Sequence, residues 1–107
     1  MGKPLDSNWL NLDWTEMNKL NKDLGYVPNE SGVYRLLNTE NIVYIGETKN
    51  LHSRLISYAK KYDQFSLKFS CCEMKEAKPY HLKERETDLI GAFYKHERQV
   101  PLYQYGH

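Results

Sequence analysis

No stretch of this chain approaches the ~20 consecutive apolar residues that a membrane-spanning helix requires, which excludes a helical membrane span. No apolar run stands behind Lys3, Asp6 and Asn8, so no signal peptide is expected and a cytoplasmic location is. Cysteine is scarce. The two present, Cys71 and Cys72, are neighbours whose side chains leave an extended strand on opposite faces, so they are poorly placed to bridge, and no Cys-x-x-Cys metal spacing exists. A disulfide scaffold is excluded, and two reduced thiols are expected, one in the core and one outside. Charge of one sign is lacking too: the net is +1. Repeats, linkers and low-complexity tracts are absent, and 107 residues suffice for one core, so residues 1–107 read as a single domain.

What the chain does have is tyrosine, nine of them, and clear periodic patterning. Asp13 followed by Glu16 resembles a capping box, and Trp14, Met17, Leu20 and Leu24 recur at helical spacing up to Gly25. This predicts a helical extension within residues 1–30, its tryptophans Trp9 and Trp14 anchoring the segment to the core. Val33 to Leu37 and Ile42 to Ile45 are β-rich and flank the turn-prone Asn38 to Asn41, a hairpin pattern. Phe65 to Met74 alternates with a two-residue period and predicts a third strand. Between them Leu51, Leu55, Tyr58 and Tyr62 keep helical spacing behind Asn50, a good N-cap. Tyr80 to His96 reads as a longer final helix. The expected fold is α+β, a three-stranded, mainly antiparallel sheet flanked by helices, with residues 31–104 as the motif-bearing core.

Two observations point beyond packing. In the last helix the apolar stripe runs Leu82, Leu89, Ile90 and Phe93, and the position completing it is Glu86. A buried, unpaired carboxylate costs several kcal/mol, so Glu86 predicts a partner: an arginine such as Arg54 or Arg85, a hydrogen-bond network, a metal, or water at the stripe's edge. Arg54 and Tyr58, four apart, share a helix face beside Leu51 and Leu55, where a guanidinium can hold a phosphate through two parallel hydrogen bonds. The charge pattern agrees. Between Thr48 and Tyr62 stand Lys49, Arg54, Lys60 and Lys61 with no acidic residue, whereas residues 1–30 carry more acidic than basic groups. A local, salt-sensitive interface for an anionic polymer follows, with Lys49, Arg54, Lys60 and Lys61 as its binding residues. His52 lies on one predicted helix and His81 and His96 at opposite ends of another, without metal-type spacing, and all three read as ordinary histidines.

The ordered set Gly32-Val33-Tyr34, Val43-Tyr44-Ile45-Gly46-Glu47-Thr48, Asn50-Leu51-His52-Ser53-Arg54-Leu55 and Glu86-Thr87-Asp88-Leu89-Ile90 resembles the GIY-YIG nuclease superfamily. The resemblance spans Ser31 to Gln104. It implies a metal-dependent endonuclease hydrolysing DNA, duplex or branched, with RNA as a further possibility. It further implies catalytic roles for Tyr34, Tyr44, Arg54, Tyr58 and Glu86. Tyr44 would assist deprotonation of the attacking water, Tyr34 would hydrogen-bond nearby, Arg54 and Tyr58 would hold the phosphate, and Glu86 would bind one Mg²⁺ or Mn²⁺. Gly46, Thr48, His81 and Gln104 are implied accessories. Where many relatives carry lysine or glutamine after the second glycine this chain has Glu47, and its Pro101-x-x-Gln104 stands for Pro-x-x-Asn. An alternative expectation is therefore a domain of this fold that binds nucleic acid or a protein without cleaving. A fused or separate targeting protein is an expected partner; a membrane is not.

Overall fold

The computed structural model describes residues 2–39 and 41–105. The predicted hairpin forms from β2 (Gly32–Leu37) and β3 (Ile42–Thr48), closed by the Asn38 N–H to the Asn41 carbonyl at 3.0 Å. Helix α1 (Leu51–Lys61) follows, then β4 (Lys68–Glu73) and helix α2 (Pro79–Glu97). Asn50 caps α1 as its side chain suggests, accepting the Ser53 N–H at 3.0 Å. Pro79 opens α2, where its missing N–H costs nothing, and Arg98 closes it in the left-handed conformation.

Among the described residues the sheet has four strands, not the three expected, in the order β1 (Asn18–Lys19), β4, β2, β3 and antiparallel throughout. The addition is β1, and it lies where a helix was predicted. Residues 13–20 instead run extended along β4: the Thr15 N–H reaches the Cys71 carbonyl at 2.9 Å, and Leu20 reaches Leu67 at 2.9 Å. The only helical turn of the N-terminal segment, among the described residues, is the short 3-10 turn Trp9–Asn11. Two physical reasons defeat the helix. The β4 edge would otherwise expose unpaired backbone groups. Moreover, Trp14 packs on one face of the sheet while Leu20 and Leu24 pack on the other, which one helical stripe cannot do. Both tryptophans are buried and stack at 6.0 Å, anchoring the segment.

Each face of the sheet carries a core. Tyr34, Leu36, Phe69 and Cys71 meet Leu51, Leu55 and Ala59 of α1 on one side; Val33, Ile45 and Cys72 meet Leu89, Phe93 and the tryptophans on the other. With both faces covered, Cys71 and Cys72 are both buried, and the expectation that one lies outside does not hold. They remain free thiols. Arg35 is buried as well; its guanidinium donates to the Pro4 carbonyl and lies over the Trp14 ring at 4.4 Å. Burial lowers its pKa to about 10, which still leaves it cationic at neutral pH. No helix among the described residues is long and apolar enough to cross a membrane.

Gly46 stands directly opposite Tyr34 in the β2–β3 register. A Cβ at Gly46 would collide with the Tyr34 phenol, so glycine is what lets that ring lie flat across the neighbouring strand. Gly46→Ala is expected to destabilise the fold by about 1–3 kcal/mol, because the buried ring has nowhere to move. A thermal melt should show a fall in Tm of at least about 5 °C.

Candidate active site

Strand β3 lies at one end of the sheet order, so its outer backbone groups need partners from elsewhere in the chain. Three come from the C-terminal half. Tyr103 donates its N–H to the Val43 carbonyl at 2.7 Å. Gln104 grips Ile45 twice, its Oε1 accepting the Ile45 N–H at 2.9 Å and its Nε2 donating to the Ile45 carbonyl at 2.7 Å. The Glu86 carboxylate, through Oε2, accepts the Glu47 N–H at 3.1 Å. The site is built around this edge: the tyrosines come from the α1 face, and the carboxylate reaches it from α2 on the opposite face.

On the α1 face Tyr34, Tyr44 and Tyr58 form a triangle of rings, with centroids 5.7 to 6.1 Å apart. The Tyr34 hydroxyl donates to the Tyr58 hydroxyl at 3.2 Å and accepts from Arg54 Nη1 at 3.5 Å, a long contact. Tyr34 is fully buried. Burial first, then the hydrogen bond to Tyr58 and the neighbouring phenols, raise its pKa far above the ordinary value, with Arg54 opposing. Tyr44, half-buried, is raised too, by burial first, then by Tyr58 and the Glu86 charge. Both are neutral phenols at physiological pH. Tyr34 can orient Arg54 and Tyr58, while Tyr44, at the cleft wall, can hydrogen-bond a water. Acting as a base would require added positive charge to bring Tyr44 down.

A cleft of about 560 Å³ opens beside these groups, lined by Tyr44, Arg54 and Glu86 together with Glu47, Lys49 and Lys83. Glu86 is only 16% exposed in its side chain, and its second oxygen, Oε1, accepts from Lys83 Nζ at 3.3 Å. The partner of this half-buried carboxylate is thus a backbone N–H and a lysine, not Arg54 or Arg85. An oxygen-rich cleft whose carboxylate has one atom fixed by the backbone and the other turned to a cation suits a hard divalent ion, which takes carboxylate, phosphate and water oxygens. Among the described residues no group of three or more acidic, histidine or cysteine side chains could hold a metal unaided. The donor set fits an ion held by one or two carboxylates plus substrate and water.

The other expected residues divide. Lys49 lines the cleft, whereas Lys60 and Lys61 do not; Lys61 Nζ lies 5.3 Å from the centre of the Tyr62 ring. Thr48 shapes the entry to α1, its hydroxyl accepting the Asn50 N–H at 3.1 Å. His81 is exposed on the first turn of α2 with its ring against Tyr80 and does not line the cleft. Gln104 reaches its role through the strand edge and borders the adjoining hollow with Tyr44 and Glu86. Gln104→Ala, by orphaning the Ile45 groups, is expected to cost about 1–2 kcal/mol in chemical denaturation. Lys83 is not marked by the sequence as a site residue, and Glu47 is marked only as a departure from the family pattern; both line the cleft. Lys83 sits three positions before Glu86 on α2, the one available hint, since a pair at that spacing shares a helix face.

A Gly-x-Tyr central strand, a Tyr-x-Gly edge strand, an arginine on the next helix and a glutamate on the last form an arrangement that resembles the GIY-YIG nuclease fold. Two solved structures bear out this resemblance, both of the GIY-YIG N-terminal endonuclease domain of UvrC from Thermotoga maritima. Each is a tyrosine-to-phenylalanine point mutant bound to its catalytic divalent cation. Each is 26% identical to this chain, covering 75% of it and 88% of the other chain, with a TM-score of 0.50. No family model and no curated protein matches the sequence.

Proposed function

We propose that this chain is a divalent-metal-dependent endonuclease that hydrolyses DNA phosphodiester bonds in the cleft at the edge of β3. The observation that carries the reading is the meeting of Tyr44, Arg54 and Glu86 on one cleft, from three separate elements. The likeness to endonuclease domains that hold a catalytic divalent cation supports it.

Each group has a task its surroundings suit. Arg54, exposed on α1 and steadied by the Tyr34 hydroxyl, binds the scissile phosphate and offsets the charge that grows on it during attack. Tyr58, oriented by the same hydroxyl, adds a hydrogen bond to a phosphate oxygen. Tyr44 orients the attacking water at the cleft wall. Glu86, with Glu47 beside it, would hold an Mg²⁺ or Mn²⁺ ion, which supplies Lewis acidity toward the phosphate oxygens when bound. Lys49 adds positive charge along the DNA backbone, and Lys60 and Lys61 add more in the last turn of α1. A fused or separate targeting protein would supply target preference.

The second reading, binding without cleavage, draws on the Lys83 ammonium seated against Glu86. A labelled duplex separates the two. Retention on a native gel in chelator, followed by cleavage when Mg²⁺ is added, supports the enzyme; retention with intact DNA in both Mg²⁺ and Mn²⁺ supports the binder.

A further inference from the structure

Glu47 and Glu86 both reach one ammonium: Lys83 Nζ lies 3.7 Å from Glu47 Oε2 and 3.3 Å from Glu86 Oε1. The two carboxylates are largely enclosed, at 22% and 16% side-chain exposure, whereas the lysine is 66% exposed. They come from different elements, β3 and α2. Two ionised carboxylates at one point repel unless a cation stands between them. The cation here is a side chain on a flexible four-carbon stem, and its pKa is raised chiefly by the hydrogen bond and charge of Glu86, with Glu47 adding to them.

We infer that Glu47 and Glu86 form a two-carboxylate seat for the divalent ion, and that Lys83 is its resident counter-cation, displaced from the seat when the ion binds. The inference rests on the reading of Glu86 as a metal ligand and adds Glu47 and Lys83 to it. Glu86 Oε2 is tied to the Glu47 N–H, which fixes the carboxylate and leaves Oε1 turned toward the cleft. Lys83 covers that same atom. A hard divalent ion taking oxygen ligands and the ammonium therefore compete for one place, and the apparent metal affinity is the intrinsic one reduced by the fraction of molecules in which Lys83 is bound. Being exposed, the lysine can leave without disturbing the core. With Glu47 as a ligand, its negative charge lies against the cation rather than against a phosphate.

Calorimetric titration of Mn²⁺ into the metal-free full chain tests this, with circular dichroism on each variant to show that it is folded. Lys83→Met should bind Mn²⁺ about threefold tighter or more than the unaltered chain, because the competitor is gone. Lys49→Met, which removes a cleft cation that touches neither carboxylate, should change affinity less. Glu47→Gln should weaken binding about tenfold. The inference is overturned if Glu47→Gln binds as tightly as the unaltered chain, or if Lys83→Met is no tighter than Lys49→Met. Loss of Mn²⁺ binding in Glu86→Gln alone, with the Glu47 and Lys83 variants unchanged, overturns only this inference. Retention of Mn²⁺ by Glu86→Gln, or no binding by either the unaltered chain or Lys83→Met, overturns the metal reading beneath it.

Discussion

Replacing Glu86 by glutamine should abolish DNA cleavage while leaving the fold intact. The side chain is held by the Glu47 N–H at 3.1 Å, a bond that an amide oxygen can still accept, and the apolar anchors of α2, Leu82, Leu89 and Phe93, are untouched. Lys83 loses a partner, but exposed ion pairs of this kind contribute about 0–1 kcal/mol, so thermal stability should change little. Activity is another matter. A carboxylate that holds a catalytic cation controls several kcal/mol of transition-state stabilisation, and at 1.36 kcal/mol per tenfold the loss should reach about 10³-fold. Single-turnover cleavage of a labelled duplex measures it, with a melt as the control. A variant that keeps most of the rate would remove Glu86 from the mechanism.

Arg54→Ala should lower the cleavage rate by about 10²–10³-fold, the effect of deleting one preorganised donor to a charged transition state. Arg54 projects from α1 into the cleft, and alanine is the better helix former, so the helix itself should not suffer. Arg54→Lys should recover little, since a point charge cannot make the paired, planar contacts of a guanidinium. Duplex retention measured across a salt series should weaken and show a shallower dependence on salt, as one phosphate contact has gone. The contrast between the two variants is informative: Glu86→Gln should retain DNA in chelator as well as the unaltered chain does, and Arg54→Ala should not.

Much of this was legible in the residues themselves. The β2–β3 hairpin, the Asn50 cap, α1, β4 and α2 all follow local patterns, because each has its own turn residues and a single period. Glu86 announced itself as a carboxylate in an apolar stripe. The N-terminal segment misled for a physical reason: Trp14, Leu20 and Leu24 are spaced like a helix stripe, yet they serve cores on opposite faces of the sheet, and the deciding force is the unpaired edge of β4, which no local pattern contains. The burial of both cysteines likewise depended on two helices covering the two faces of one sheet. Glu47 stands out in the sequence only as a departure from the family pattern and Lys83 not at all, because what joins them is a distance, 3.7 Å across two elements, and not a spacing. Gln104 showed its residue type in the sequence, but its hold on both backbone groups of Ile45 appears only once the tail is seen lying along β3.

The most direct test of the central claim is nicking of supercoiled plasmid by the purified full chain, first stripped of metal and then given Mg²⁺ or Mn²⁺, with Glu86→Gln in parallel. The account predicts conversion to open circles only with added metal and only by the unaltered chain. Nicking in chelator, equal nicking by Glu86→Gln, or no nicking by the unaltered chain with either ion would contradict it.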